Sequence, residues 1–311
     1  MNATDKILIT GAGGLVGSAL ERGLRRLGYQ NIFSPTRQDC DLLSKQDALS
    51  YFSSTSPDLV FHAAARVYGI GGNLKNKALS FYENTLINTN VIDACYKASV
   101  KKVVAMGTVA AYPYDESVKI LKEDMIFSGK PHKSEDSYGF AKRGMLAMLM
   151  AYEESYGLKW SYVISSNIYG PGDNFNIEAG HVVPSLLRKF YEAKTRGTEA
   201  IVWGDGSARR NFIYADDLAK AMILIAGHFD GAINVGTNEV VTIKQLVEAI
   251  AFDLGFESKI IWDTTKPNGR DFIPCDLSNL AELGFSPDYN LQTGIKSTLA
   301  WLRDNYPKIR S

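Results

Sequence analysis

The sequence predicts an α/β protein with a doubly wound parallel sheet, into which a second, smaller lobe is interleaved. Two observations predict it. Short apolar runs with strand character alternate with amphipathic helical patterns through the first half of the chain. A glycine-rich turn, GAGGLVG, follows the first apolar run and opens the first helical pattern. This alternation is typical of parallel strands joined by crossover helices.

The predicted strands are short apolar runs bounded by polar or turn residues. They are Lys6–Thr10, Asn31–Phe33, Asp58–His62, Lys102–Met106 and Trp160–Ile164. The intervening helical patterns are Gly14–Leu27, Ser44–Ser53, Lys77–Ala98 and Asp136–Tyr156, and Val241–Phe252 repeats the style late in the chain. Tyr114–Asp136 and Tyr169–Gly180 break the alternation and are predicted loops. Loops at the carboxyl ends of parallel strands are where open α/β sheets bind ligands.

The totals exclude several classes of protein. Lys plus Arg and Asp plus Glu both number 34 in 311 residues, so no bulk charge favours nucleic acid or an anionic membrane. The three cysteines are widely spaced and form no metal-binding or disulfide pattern, which suits a reducing cytoplasm. No apolar stretch approaches the length of a membrane span, and the first residues lack a signal-peptide layout. We therefore expect a cytoplasmic protein without a metal or a membrane anchor.

The turn Gly11–Gly17 predicts a dinucleotide site. Glycines permit a tight turn and a close approach of the backbone to a pyrophosphate, and the helix N-terminus supplies free N–H groups. The spacing is GxxGxxG rather than the standard GxGxxG, so the prediction depends largely on the position of the turn between a strand and a helix. An NAD site calls for an acid at the end of the second strand, but this segment offers Arg37. A guanidinium there favours the 2′-phosphate of NADPH, with NADH as the less favoured cofactor and a solvated loop charge as the alternative.

Tyr138 and Lys142 form the candidate catalytic pair. They lie four residues apart on a predicted helix and so share a face. We expect the ammonium to lower the pKa of the phenol, which could then exchange a proton with a carbonyl oxygen during hydride transfer. Thr108, which ends an earlier strand, could hold the same oxygen. The YxxxK pattern alone is weak, but here it follows a glycine turn and a hydroxyl at the end of a strand.

With these motifs in place, the chain resembles the extended short-chain dehydrogenase/reductases, and within them the GDP-L-fucose synthase branch of epimerase/reductases. The resemblance runs nearly end to end through GLVGSAL, YENTLINTNVIDA, SNIYGPGDNF, HVVPSLLRKF, IVWGDGSARRNFIYADDLA and NVGTNEVVTIKQL. It implies a Rossmann domain over residues 1–167 and about 211–236. Residues of about 168–210 and 237–311 would then form the lobe that binds a nucleotide sugar.

The resemblance also implies the site residues. The catalytic set is Thr108, Tyr138, Lys142 and His181. The cofactor-binding set is Gly11, Gly13, Gly14, Leu15, Val16, Gly17, Arg37, Asp41, Leu42, Ala63, Ala64, Ala65 and Lys142. The substrate-binding set is Asn167, His181, Lys189, Trp203 and Arg210, of which the cations suit a pyrophosphate and the tryptophan could stack on a base. Trp203 could instead belong to the core, Arg209 and Arg210 could be surface charges, and Arg270 lies earlier than the basic residues expected in its segment.

One departure from the family bears on function. The family epimerises carbons 3 and 5 of the sugar with a cysteine and a histidine, then reduces carbon 4. The histidine matches His181, but the cysteine position is Ala110, whose methyl group cannot abstract a proton. The resemblance therefore predicts an NADPH-dependent C4-ketoreductase of a GDP-linked keto sugar, a 6-deoxyhexose or a heptose. It would serve surface or capsular polysaccharide synthesis, could act after a separate epimerase, and would assemble as a homodimer through the helices Lys77–Ala98 and Asp136–Tyr156.

Three other functions remain open from the sequence. The first is a bifunctional epimerase/reductase, which would need another base in place of the cysteine. Independently of this, His181 could be purely structural. A nucleotide-sugar 4-epimerase needs only the hydroxyl, the tyrosine and the lysine, and would hold NAD tightly. A nucleotide-sensing protein would have little use for the Tyr138–Lys142 pair. A 4,6-dehydratase is excluded because Val109 and Ala110 stand where it needs acidic residues.

Overall fold

The computed structural model describes residues 1–67, 75–178, 180–266, 268 and 272–310. Its main sheet has six parallel strands in the order β2-β1-β3-β4-β5-β9. Those strands are β1 (Ile7–Thr10), β2 (Ile32–Phe33), β3 (Leu59–His62), β4 (Lys102–Met106), β5 (Lys159–Ser165) and β9 (Gly231–Val235). The order reverses between β1 and β3, and such a switch point opens a crevice at the carboxyl ends of the strands.

Helices cover both faces of this sheet. They are α1 (Leu15–Arg26), α2 (Lys45–Thr55), α3 (Lys77–Lys97), α4 (Asp136–Tyr156) and α6 (Ala215–His228). Side chains along a strand point alternately to opposite faces, so Ile7 and Ile9 join a core with α1 and α6 while Leu8 joins a second core with α2, α3 and α4. This three-layer arrangement confirms the predicted doubly wound fold.

The second half of the chain adds two small sheets. One contains β6 (Asn167–Tyr169), β8 (Arg209–Tyr214) and β10 (Val240–Thr242) in the order β10-β8-β6, and the other pairs β7 (Ala200–Trp203) with β11 (Ile260–Asp263). The helices of this part are α5 (Val182–Arg196), α7 (Ile243–Leu254), α8 (Ser278–Glu282) and α9 (Leu291–Asn305). A third buried core unites α5, α7 and α9 with the small sheets.

This third core supports the division into two lobes, which stays a prediction in its details. The boundary expected near residue 210 falls inside β8, a strand of the three-stranded sheet. The strands predicted in the first half all form: Lys102–Met106 has the predicted bounds, and the ends of the other strands shift by at most one residue. Among the strands that the sequence pattern does not predict, β6 and β10 have only three residues each, too few to give a recognisable apolar run.

Candidate active site

The glycine turn lies at the switch point of the main sheet. A side chain at Gly11 would come within 2.8 Å of the Ala64 backbone after β3, and one at Gly17 would come within 2.3 Å of the Gly11 carbonyl oxygen. Gly11 also has a φ of +73°, which favours glycine. Gly13, in contrast, faces open space. The turn is therefore packed tightly against β3 on one side and leaves room for a ligand on the other.

The start of α1 suits an anion. Gly14 is the N-cap residue and offers no side chain to the backbone N–H groups that follow it, and the first turn of Leu15, Val16 and Gly17 carries no acidic residue. Unpaired N–H groups and the helix dipole stabilise a phosphate at such a position. The residues present thus fit the pyrophosphate of a dinucleotide.

The other predicted cofactor residues lie on the loops that follow β2 and β3. The Arg37 side chain is 60% exposed and lies 3.4 Å from the Asp41 carboxylate, so the guanidinium is accessible but paired. The Leu42 carbonyl accepts a hydrogen bond of 2.9 Å from Asn90 of α3. Of the Ala63–Ala65 turn, Ala63 donates its N–H to the Thr10 carbonyl, which holds the turn beside β1.

Thr108 and the catalytic helix meet after β4. Thr108 caps a short 3₁₀ turn, Val109–Ala111, by accepting a 3.1 Å hydrogen bond from the Ala110 N–H. A side chain at Gly139 would come within 2.7 Å of the Ala110 carbonyl oxygen, so the first turn of α4 packs directly on this 3₁₀ turn. The contact brings Tyr138 beside the strand end that carries Thr108.

Lys142 is buried within this contact. It is 1% exposed, and its Nζ donates a 2.7 Å hydrogen bond to the Met106 carbonyl at the end of β4. The Nζ lies 5.7 Å from the centroid of the Tyr138 ring. Burial lowers the pKa of Lys142 to about 7, because the charged ammonium loses its hydration. The Met106 carbonyl is a site feature that the sequence did not reveal.

The structure corrects the expected pKa of Tyr138. Burial, with the nearby charge of Glu135, raises the pKa of the phenol rather than lowering it. The physical reason is that desolvation opposes the charged phenolate, and the negative charge of Glu135 opposes it further. In this state Tyr138 is a neutral proton donor at neutral pH.

His181 is the N-cap residue of α5, and its side chain is 49% exposed. Its Nδ1 lies 3.7 Å from Oδ1 of Asp173, which raises the pKa of the imidazole. Asp173 is buried, and its Oδ2 has no hydrogen-bond partner among the described residues. The charge of Glu135 acts on both His181 and Tyr138, so α5 and the start of α4 face a common region. Sequence reasoning missed Asp173 and Glu135, although Asp173 stands in the Gly- and Asn-rich loop singled out for ligand binding.

The remaining substrate-binding candidates form two groups in the second lobe. Asn167 on β6 donates a 3.1 Å hydrogen bond to the Asn211 carbonyl on β8, the strand that also carries Arg210. Lys189 on α5 donates a 2.7 Å hydrogen bond to the Ile201 carbonyl on β7, at whose end Trp203 is 56% exposed. Trp203 is therefore not a core residue, and Lys266 lies 5.8 Å from its ring centroid. Arg270 falls outside the described residues.

The three cysteines lie away from Ala110 in the sequence, and two of them are buried. Cys40 and Cys95 are buried, and burial raises the pKa of the Cys40 thiol to about 11 and that of Cys95 further. Cys275 packs against the core beneath α2, α3 and α4. Within the described ranges, no three His, Cys, Asp or Glu side chains form a metal-binding cluster, and no helix is long and apolar enough to cross a membrane.

A profile of the NAD dependent epimerase/dehydratase family matches residues 7–236. The chain belongs to this family. Among curated relatives, it is 37% identical over 304 residues to a probable GDP-L-fucose synthase of Oryza sativa, covering 96% of this chain and 92% of that protein. Within the family, it therefore belongs to the extended short-chain dehydrogenase/reductase branch that resembles GDP-L-fucose synthases.

Solved structures agree with this assignment. A GDP-L-fucose synthetase of Naegleria fowleri bound to NADP superposes with a TM-score of 0.92 at 29% identity, covering 100% of this chain and 96% of that one. A GDP-6-OMe-4-keto-L-xylo-heptose reductase of Campylobacter jejuni superposes with a TM-score of 0.89 at 29% identity, covering 98% of this chain and 99% of that one. Similar structures thus include both a fucose synthetase and a keto-sugar reductase.

Proposed function

We propose that this protein reduces the C4 ketone of a GDP-linked 4-keto sugar, a 6-deoxyhexose or a heptose, without epimerising carbons 3 and 5. In coarser terms, it is an NADP-dependent oxidoreductase acting on nucleotide sugars, like the relatives it matches. The sugar would arrive with its stereochemistry fixed by a separate epimerase, and the product would serve polysaccharide synthesis. We propose a homodimer built on α3 and α4.

Ala110 is the observation that carries the reductase-only proposal. It is 4% exposed and stands in the 3₁₀ turn two residues after Thr108, where the resemblance places the cysteine of an epimerase. Its methyl group exchanges no protons, and its backbone N–H is engaged by Thr108. Tyr138 and Lys142, which would take part in the reduction, both lie on α4, with the Lys142 Nζ 5.7 Å from the Tyr138 ring centroid. The similarity to a keto-sugar reductase supports the same conclusion.

Tyr138, Thr108 and Lys142 would perform the protein's part of the reduction. When bound, NADPH supplies the hydride. Tyr138 donates its phenolic proton to the C4 oxygen, as its raised pKa keeps it protonated beforehand. Thr108 holds the same oxygen by a hydrogen bond. After this transfer Tyr138 is a phenolate. Lys142, which the Met106 carbonyl holds in place, stabilises that phenolate when its amine is in the charged ammonium form.

The loops at the switch point would hold the cofactor. We propose that the turn Gly11–Gly17 and the start of α1 bind the pyrophosphate, and that Arg37 binds the 2′-phosphate through its exposed guanidinium. Asp41, Leu42 and the turn Ala63–Ala65 would line the adenosine and the ribose. The exposed fraction of Arg37 and its weak 3.4 Å pairing support this role.

The second lobe would hold the nucleotide sugar. We propose that Asn167 and His181 contact the sugar, and that Lys189, Trp203 and Arg210 contact the nucleotide diphosphate. The exposed Trp203 ring offers a face for a guanine base, and the two cations balance the phosphates.

A bifunctional epimerase/reductase is the second candidate, and one observation favours it. Asp173 raises the pKa of His181, which favours the imidazolium form that would protonate a sugar carbon. The similarity to proteins described as GDP-L-fucose synthases agrees with it. It would still require a base to replace the missing cysteine. A nucleotide-sugar 4-epimerase can be distinguished from both of these enzymes by its cofactor, because it would purify with bound NAD.

The deciding experiment is reduction of GDP-4-keto-6-deoxymannose by NADPH in D₂O, with mass and NMR analysis of the product. We expect NADPH oxidation and no deuterium at carbons 3 and 5. Ala110→Cys should introduce deuterium at one or both carbons, whereas the neighbouring Ala111→Cys should not. Deuterium incorporated by the unaltered protein above an enzyme-free control would contradict the reductase-only proposal. Absence of NADPH oxidation with this sugar and also with a GDP-linked 4-keto heptose would contradict the reductase itself.

A further inference from the structure

A buried chain of hydrogen bonds crosses the main sheet beneath the site. Thr10 at the end of β1, His62 at the end of β3 and Asn88 on α3 are 1%, 0% and 2% exposed. Thr10 Oγ1 lies 2.8 Å from His62 Nδ1, and His62 Nε2 lies 3.1 Å from Asn88 Oδ1. The sequence assigned no role to any of these three side chains.

The two ends of the chain reach the two halves of the site. At one end, the Ala64 N–H donates to Thr10 Oγ1 at 3.4 Å, within the turn that packs on Gly11. At the other end, Asn88 Nδ2 donates to the Ala141 carbonyl at 3.3 Å. Ala141 immediately precedes Lys142 on α4. The hydrogen-bonded path thus runs from the proposed cofactor turn to the helix that carries Tyr138 and Lys142.

Chemistry fixes the direction of every bond in this path. A carbonyl can only accept, so Asn88 presents its amide nitrogen to Ala141 and its oxygen to His62. His62 must then carry its proton on Nε2, which leaves Nδ1 to accept from the Thr10 hydroxyl. The Thr10 oxygen in turn accepts from Ala64. Donors all point the same way, an arrangement in which neighbouring hydrogen bonds strengthen one another.

His62 must be neutral for this path to exist. Burial and the nearby charge of Lys142 lower its pKa to about 3, so the neutral imidazole persists at neutral pH. A protonated ring would have two donors and no acceptor for the Thr10 hydroxyl. The described surroundings of His62 therefore favour the one protonation state that keeps the path intact.

We propose that His62 is a positioning residue that couples the turn after β3 to the placement of Lys142 and Tyr138 on α4. It touches neither sugar nor cofactor and acts through Thr10 and Asn88. The proposal rests on the proposed roles of Tyr138 and Lys142 in reduction. It assigns a function to a buried histidine that packing alone would leave as a core residue.

Kinetics of Thr10→Val and Asn88→Leu, singly and combined, test the coupling. Both changes preserve approximate shape and remove one link on either side of His62. A displacement of catalytic groups by about 1 Å can cost about 100-fold in rate. We expect each single variant to lower kcat by about 10-fold with little change in the KM for GDP-4-keto-6-deoxymannose. The kcat of the double variant should also fall by no more than about 10-fold, because either single substitution already interrupts the hydrogen-bonded path.

Thr298→Val is the matched control. Thr298 is 0% exposed and donates a buried 2.7 Å hydrogen bond to the Gly294 carbonyl within α9. Thr298→Val therefore removes a buried hydroxyl, as Thr10→Val does, but in a different part of the fold. We expect kcat to stay unchanged in this variant. Losses that multiply in the double variant, or a normal kcat in Thr10→Val, would overturn the proposal.

A second measurement needs neither turnover nor folded variants. Nitrogen NMR of the unaltered protein reports which imidazole nitrogen of His62 carries the proton. We expect the neutral Nε2–H form at neutral pH, and an Nδ1–H form or an imidazolium would refute the path. Failure of the unaltered protein to oxidise NADPH with the keto sugar would instead count against the proposed function, while the NMR result would still decide whether the hydrogen-bonded path through His62 exists.

Discussion

At the scale of single residues, the site is governed by the cost of burying charge. Lys142 and Tyr138 both lie where desolvation favours their neutral forms, so the pKa of Lys142 falls to about 7 and that of Tyr138 rises. Catalytic groups commonly have pKa values moved by burial in this way. In the proposed reduction, the pair would hold one proton on Tyr138 until the carbonyl oxygen of the sugar accepts it.

Tyr138→Phe should remove the proton donor while keeping the ring that packs near Lys142. We expect kcat to fall by about 100- to 10,000-fold, the range typical of a lost general acid, with NADPH affinity unchanged. Steady-state kinetics and a fluorescence titration with NADPH would measure the two effects. Tyr156→Phe, at the exposed end of the same helix, is the control and should retain activity. A protein that senses nucleotide without catalysis would show no difference between the two variants.

Lys142→Met should change how stability depends on pH. The unfolded chain keeps a lysine pKa near 10.5, whereas the folded pKa is about 7, so between these values the unfolded state binds more protons. Stability of the unaltered protein therefore gains a contribution that rises with pH through this window. Methionine lacks that contribution. The free energy of unfolding of the unaltered protein minus that of Lys142→Met should grow from neutral to alkaline pH, as urea denaturation would show, and a constant difference would contradict the lowered pKa.

At the scale of elements, the turn between β1 and α1 combines tight packing with an open side. An added side chain at Gly17 meets the Gly11 carbonyl at 2.3 Å and the Ala12 Cα at 2.6 Å, both backbone atoms that cannot move independently. One at Gly13 meets nothing within 4 Å. Two glycines of one motif therefore have different functions, one in folding and one in access to the ligand.

Gly17→Ala and Gly13→Ala should separate these functions. We expect Gly17→Ala to lower the free energy of unfolding by about 1–3 kcal/mol, the usual cost of overpacking. Gly13→Ala should leave stability nearly unchanged and weaken NADPH binding, because its methyl group would occupy the space through which the backbone approaches the pyrophosphate. Urea denaturation and NADPH titration of both variants would measure this. Equal loss of stability in the two would contradict the difference in packing.

At the scale of the whole molecule, α3 and α4 pack against each other and leave large apolar side chains on their outer surfaces. Those at least 39% exposed are Leu79, Phe81, Tyr82, Tyr96, Phe140, Met150 and Tyr156. Large apolar side chains exposed in this number on two neighbouring helices are a common feature of interfaces between subunits. A second copy applying the same two helices would form a four-helix bundle, the arrangement that the family resemblance implies.

We expect the protein to sediment as a dimer at micromolar concentration. Tyr82→Asp, which places a charge on the 61% exposed side chain in α3, should weaken the dimer by about 100-fold, as a charge at the centre of an apolar interface is costly. Phe252→Asp is the control, because Phe252 is 80% exposed but lies on α7. Sedimentation equilibrium of the three proteins decides the matter, and a monomeric unaltered protein would refute the interface.

Much of the first half of the fold follows from local patterns. Runs such as Lys6–Thr10 and Lys102–Met106 form strands because each is apolar, short and bounded by turns, and the sheet buries it on both faces. The strands of the second lobe could not be found this way. Asn167–Tyr169 has only three residues, too few to give a local pattern, and it becomes a strand by pairing with Arg209–Tyr214.

In the candidate site, too, some features follow from local sequence and others from tertiary packing. The sequence by itself determined the residue types at fixed spacing: the glycines of the turn, Tyr138 four residues before Lys142, and alanine at position 110, two residues after Thr108. Only the tertiary structure decided their environments: the Met106 carbonyl on Lys142, Asp173 beside His181, and His62 between Thr10 and Asn88. The physical reason is that spacing along one element is a local property, whereas desolvation and hydrogen-bond partners depend on which distant elements are packed together.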